Sequence, residues 1–209
     1  MPDELLARSA PFQAEFFEKQ AELLEELTRH GQSPEALLIA CSDSRVFLEP
    51  LLGASPGDFF MLRNIANIVP PYVQSDLGIT AVLEFAIRHL QVPHLIICGH
   101  TDCGGIKGLD SHLDPQEDPA LARWIEFARP AQQEVDRRND LDDWDRHRAI
   151  VERNVVQQLR HIQTYPFILS ALQAKRLDLH GWVYYLQRRV MGSYDPVSDR
   201  FEMLDLDRP

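Results

Sequence analysis

Four uninterrupted apolar runs stand out along the chain: EALLIAC (35–41), FFMLRN (59–64), HLIICGH (94–100) and LHGWVYY (179–185). Each is too short for a packed helix and is bounded by turn residues, so each reads as a strand buried on both faces, as in parallel sheet. Between them the period changes. Ile79, Val82, Leu83, Ala86, Ile87 and Leu90 share one helical face, with Ser75 or Asp76 placed to cap its start. Trp124 to Val135 and Trp144 to Ile162 supply two more helical patterns before the fourth run. Strands that alternate with helices predict an α/β fold whose mainly parallel sheet is flanked by helices. The tail RFEMLDL offers a short edge strand besides.

Ahead of the first strand, Phe12, Phe16, Phe17, Leu23, Leu24 and Leu27 keep a helical period, with Pro11 at the start and Gly31 beyond the end. This amphipathic helix can pack on its own domain or lie as an arm on a partner subunit. The pattern leaves both open.

Gly, Pro and Asp punctuate the connections at GASPGD, VPPYVQSD and LDSHLDPQEDP, without a repeat or a linker-like tract, so residues 1–209 read as one domain. The net charge of -11, with lysine only at Lys19, Lys107 and Lys175, excludes a phosphate-tracking surface and therefore nucleic acid. No run approaches membrane-spanning length, and the first residues lack a basic leader with an apolar core, so a soluble, unprocessed protein is expected. Cys41, Cys98 and Cys103 are too few for a disulfide framework and suit a reducing compartment, with the cytoplasm as the expected location.

Candidate chemistry gathers where two of the strands end. Cys41 closes the first run, and His100 and Cys103 follow the third in a glycine-flanked turn. Thiolate and imidazole are zinc ligands, and three of them leave a fourth position open. Ligands in open α/β sheets collect at the carboxyl ends of the strands, so one crevice gathers all three if the first and third strands are neighbours. Taken alone, Cys41 and Cys103 also read as ordinary buried thiols. Asp43 and Arg45 sit just beyond Cys41, and an acid paired to an arginine there can orient a metal-bound water; by themselves they would equally be a surface ion pair. Cys98 lies inside LIIC and reads as a core thiol. His30, His89, His94, His112, His147, His161 and His180 have no second ligand at metal spacing and read as surface or structural histidines.

CSDSRV, RNIANIVPPY, CGHTDCGG and TYPFILSAL followed by LHGW occur in an order and approximate spacing that resemble the beta-class carbonic anhydrases, in particular the plant-type branch, over almost the whole chain. The resemblance implies a sheet in strand order 2-1-3-4 with a possible fifth edge strand. It implies a zinc enzyme that interconverts carbon dioxide with bicarbonate and a proton through a zinc-bound hydroxide, with one zinc per chain on Cys41, His100 and Cys103. Asp43 and Arg45 become its catalytic dyad, the aspartate either paired to the arginine or swung onto the metal. Gln32, Phe60, Phe85 and Gly104 become its substrate-binding residues, Phe85 standing where plant-type members place a tyrosine. Where the bicarbonate-inhibited branch has a tryptophan, this chain has Leu38, although Arg63 and Tyr184 stand near the other positions of that inhibitory site. The open, uninhibited form is therefore expected. The family assembles as dimers or multiples of dimers with the pocket at the interface, which resolves residues 1–34 as an arm on the partner subunit. Competing readings are a carbon disulfide or carbonyl sulfide hydrolase on the same scaffold, a non-catalytic zinc or bicarbonate-binding protein, and a redox role for Cys41 and Cys103.

Overall fold

The four apolar runs become adjacent strands: β1 (Ala36–Cys41), β2 (Phe59–Asn64), β3 (His94–His100) and β4 (Asp178–Tyr185). The computed structural model describes residues 2–7, 9–111, 113–138 and 140–204. β1 pairs in parallel with β2 on one side and β3 on the other, and β3 pairs in parallel with β4. The order 2-1-3-4 is thus as expected, but the sheet is longer. β5 (Val190–Asp195) and β6 (Arg200–Met203) extend it antiparallel beyond β4, giving six strands in the order β2-β1-β3-β4-β5-β6. The edge strand expected in the tail is β6, although Asp205 and Leu206 of that run lie outside the described residues. β5 carried no signal because Gly192 and half-exposed polar positions interrupt its apolar content.

Alternation along β1 and β3 divides the core. Leu37, Ile39, Cys41, Leu95 and Ile97 face the main helical layer, while Ala36, Leu38, Ala40, Ile96 and Cys98 face a smaller cluster with Leu48 of the short helix α3 (Leu48–Leu51). The amino-terminal segment forms α1 (Pro2–Ala7) and α2 (Ala10–His30); none of the described residues of α2 is buried, and Phe12 and Phe17 are 67% and 50% exposed. In the main layer, α4 (Leu77–Glu84) is capped by Asp76, whose carboxylate accepts from the Ile79 amide at 2.9 Å. It widens at once into a π turn over Phe85–Leu90, a feature frequent at functional sites.

After α5 (Gly104–Lys107), the pattern expected as one helix from Trp124 to Val135 is two, α6 (Pro119–Ile125) and α7 (Arg129–Asp136), joined by a 3-10 turn. Pro130 explains the break, since it has no N–H to continue the ladder. α8 (Asp143–Ile162) and α9 (Pro166–Gln173) complete the set. α8 lies close against the sheet: a Cβ on Gly99 would stand 2.7 Å from Val155 Cγ2, and one on Gly181 would stand 3.0 Å from Val155 Cγ1.

Candidate metal centre

β1 and β3 are neighbours, so their carboxyl ends open side by side, as the sequence required. Sγ of Cys41, a ring nitrogen of His100 and Sγ of Cys103 all lie within 4.8 Å of one another, and all three residues are buried. The two sulfurs are 3.9 Å apart. Two thiolates each about 2.3 Å from a tetrahedral zinc would stand roughly 3.8 Å apart, so the spacing fits that ion.

His100 fits it too. Nδ1 faces the Thr101 carbonyl at 3.0 Å, which places the proton on Nδ1 and leaves a lone pair on Nε2. Among the described residues Nε2 is buried without a hydrogen-bond partner. Its nearest acid, Asp43 Oδ2, stands off at 3.9 Å, too far for a hydrogen bond. A buried ring nitrogen with a free lone pair beside two thiols fits a cation held by all three.

The thiols themselves are prepared for one. The hydrogen bond from Cys103 holds the Cys41 thiol well below its ordinary value, with further help from His100 and the backbone. The same bond, reinforced by burial, pushes Cys103 up. The pair is thus arranged to favour a thiolate on Cys41, the form of cysteine that binds a metal. Cys98 behaves otherwise: burial pushes it up to about 12, its sulfur contacts the Gly99 carbonyl at 3.6 Å, and it packs with Ala40, Ile96 and Met191. It is a core thiol, as expected.

Beside the ligands, Asp43 and Arg45 form the bidentate pair that their spacing suggested. Arg45 Nε donates to Oδ1 at 3.0 Å and Nη2 to Oδ2 at 2.7 Å, while the Arg45 amide donates to Oδ1 at 2.9 Å. These bonds hold the Asp43 carboxyl far below the usual carboxylate range. Arg63 was anticipated only as a remnant of an inhibitory site, yet its guanidinium donates to the carbonyls of Cys41, Asp43 and Val46 at 2.6 to 3.0 Å. It shapes the loop that carries the dyad.

A third support left only a faint trace in the sequence. Asn154, Gln158 and His161 form a polar stripe on the buried face of α8 and reach the loop after β2: Asn154 Nδ2 donates to the Ala66 carbonyl at 3.1 Å, Gln158 Oε1 accepts from the Val69 amide at 2.9 Å, and His161 Nδ1 meets the Val69 carbonyl at 2.9 Å. Ala66 and Asn67 are held there in the left-handed region, φ 60 and 49°, which aims the Ala66 amide at Cys41 Sγ, 3.4 Å away. The only signal in the sequence was three polar residues on an otherwise apolar helical face.

The expected substrate residues lie in two places. Gly104 opens α5 beside the ligands, with free space where a Cβ would be. Phe60 pairs with Leu37, four residues before Cys41 on β1 and therefore about 13 Å along the strand from Cys41. Its ring stacks on that of Phe85 at 5.6 Å, and Phe85 is 44% exposed. Gln32 is exposed on the connection entering β1, also at the amino end of the sheet. Within one chain, then, Phe60 and Phe85 meet each other and not the ligands.

Among the described residues Cys41, His100 and Cys103 are the only group of three such ligand side chains near enough to share an ion. His94 and His180 meet across β3 and β4 at 3.2 Å, a pairing that sequence spacing hid. His112 lies outside the described residues.

A carbonic anhydrase family model matches residues 36–191, a span that includes Cys41, Asp43, Arg45, His100 and Cys103. This chain belongs to the beta-class carbonic anhydrases. A carbonic anhydrase of Pseudomonas aeruginosa is 37% identical over 193 residues, covering 92% of this chain and 87% of that protein. Carbonic anhydrase 1 of Escherichia coli O157:H7 is 35% identical over 190 residues, covering 91% and 86%. The solved beta-carbonic anhydrase CcaA superposes with a TM-score of 0.90 at 33% identity, covering 98% of this chain and 92% of its own. One of two beta-carbonic anhydrases described as tetrameric, from Sordaria macrospora, gives 0.78 at 30% identity and coverages of 97% and 95%. Membership makes the chain a carbonate dehydratase, a lyase. No helix among the described residues is long and apolar enough to cross a membrane.

Proposed function

We propose that the chain catalyses the zinc-dependent, reversible hydration of carbon dioxide to bicarbonate and a proton. The observation that carries this reading is the buried Cys41, His100 and Cys103 trio, whose Nε2 has no partner among the described residues, set beside a carboxylate already locked to an arginine. A zinc ion held there supplies Lewis-acid chemistry, lowering the pKa of water from about 16 to about 7, a magnitude known for carbonic anhydrases as a class.

This chain's residues do the rest. Asp43, kept ionised by Arg45, can only accept hydrogen bonds, so whatever binds between it and the ligands must present a proton to it. That requirement orients a water and discriminates against anions without a proton. Arg45 holds Asp43 away from His100 Nε2, so that its carboxylate would not compete for a metal held by Cys41, His100 and Cys103. The Ala66 amide points at Cys41 and moderates the charge on its sulfur. Gly104 leaves room beside the ligands for a small linear molecule.

Carbon dioxide is apolar and needs a dry wall, which we assign to Phe60 and Phe85, with Gln32 contacting a substrate oxygen. Their position at the amino end of the sheet supports a homodimer in which each chain lends these residues to its partner's metal centre, with residues 1–34 as the arm that ties the copies together. The exposed aromatic rings of α2 and of Phe85 support the same assembly. The three buried free cysteines suit the cytoplasm. Stopped-flow carbon dioxide hydration, on protein of known zinc content between pH 6.5 and 9, tests the proposal. Rapid turnover that follows zinc content is expected; one zinc per chain without hydration at any pH would overturn it.

A further inference from the structure

Arg45 is gripped from two sides. Asp43 takes Nε and Nη2 as described, and Asp102, on the loop between His100 and Cys103, takes Nη1 through its Oδ2 at 2.6 Å and Nη2 through its own carbonyl at 3.0 Å. Asp102 can turn both acceptors to the same guanidinium because its backbone is left-handed, φ 62°. Its remaining carboxylate oxygen is taken by Lys107 at the end of α5. The loop is anchored from below as well, by Thr101, whose amide reaches the Tyr184 carbonyl at 3.0 Å and whose hydroxyl bonds Gln187 Oε1 at 2.8 Å.

We propose that Asp102 is a positioning residue for the dyad. It fixes the plane of the Arg45 guanidinium, and through it keeps Asp43 turned away from His100 Nε2, which stands only 3.9 Å from Oδ2. The inference rests on the carbon dioxide hydration reading and adds to it a contact between the two ligand-bearing loops. An arginine that meets one carboxylate can still rock about that contact, and Arg45 is half exposed, so water could compete for Nη1. A second carboxylate on the opposite nitrogen removes that freedom, because the guanidinium is planar and its donors are fixed in one fork. An isolated surface pair would do little; two acceptors converging from a second loop make a clamp.

The test uses the zinc-loaded protein and its Asp102→Asn variant, since asparagine tolerates the left-handed backbone and keeps the size and the carbonyl while losing the charge. Asp102→Gly serves as a second variant that keeps the turn and removes the side chain. Both should retain one zinc per chain. The Arg45 Nε–H signal in arginine-labelled NMR spectra should exchange with solvent about tenfold faster, and hydration should slow by about tenfold. Lys107→Met, which removes the other cation from Asp102, should leave Arg45 protected. Wild-type exchange and wild-type rate in Asp102→Asn would overturn the proposal, as would equal loss of protection in Lys107→Met, which would mean general loosening of the loop. A zinc-loaded wild-type protein that shows a protected Arg45 but no hydration would instead overturn the activity, leaving the exchange result to decide the clamp.

Discussion

The two ends of the sheet differ in how complete they are. At the carboxyl end, Cys41, Asp43, Arg45 and the His100 loop are knitted together by this chain alone, and the His100 nitrogen beside the two cysteines is buried without a hydrogen-bond partner among the described residues. At the amino end, Phe60 and Phe85 stack on each other, Phe85 stays half exposed, and α2 above buries none of its described residues. The first end offers donors that fit an ion, the second an apolar face left open. Chemistry that requires charges placed within a few ångströms is built from covalently tethered loops, whereas an apolar wall can be borrowed from another molecule because burial is not directional.

The contrast can be broken most severely at the carboxyl end. Cys103→Ala should lose zinc, measured by metal analysis, and reduce hydration by more than the roughly 100-fold that loss of an outer partner costs. Cys98→Ala, on the opposite face of the sheet, should keep its zinc and so show that burial of a thiol is not enough. Asp43→Asn should retain zinc yet lose about 10- to 100-fold in rate, because the ligand trio is untouched while the ionised acceptor is gone. A wild-type rate in that variant would remove the dyad from the mechanism.

The amino end is probed by shortening the chain to begin at residue 31. Sedimentation should then report monomers that still bind zinc, with hydration reduced about tenfold or more, as for a site missing its positioning wall. A fully active monomer would show that the second end is dispensable.

The smallest effect concerns pH. Burial holds His161 below its ordinary value, so between that lowered value and about 6.5 the unfolded chain binds more protons than the folded one. Stability should therefore fall as pH drops below about 6.5, and urea midpoints for His161→Gln should show a shallower decline.

The sequence was most explicit where physics is local. β3 begins and ends where its apolar run does, since a strand buried almost throughout tolerates no polar interruption; β2 keeps the bounds of its run as well, although at the sheet's edge it is only half-buried and not buried on both faces as expected; and His100 with Cys103 was visible because one turn carries both. Asp43 and Arg45 were legible for the same reason. Arg63, Asp102 and the Asn154, Gln158 and His161 stripe were not, because each acts on a loop distant in sequence and any of them reads alone as an ordinary polar residue. Gln32, Phe60 and Phe85 entered only through family resemblance; nothing in their spacing links them to the metal ligands, and in the fold they stand at the other end of the strands. β5 escaped because antiparallel strands near an edge need little continuous hydrophobicity.

The depth at which α8 sits is set by the bare floor that Gly99 and Gly181 give it, and the same helix carries the side chains that hold the Ala66 loop over Cys41. A methyl group added to that floor would lift the helix, and with it the amide that rests on the sulfur. Packing height is in this way translated into electron-donating strength at a ligand atom, so the electronic character of the centre is adjustable from positions that no reactant ever meets.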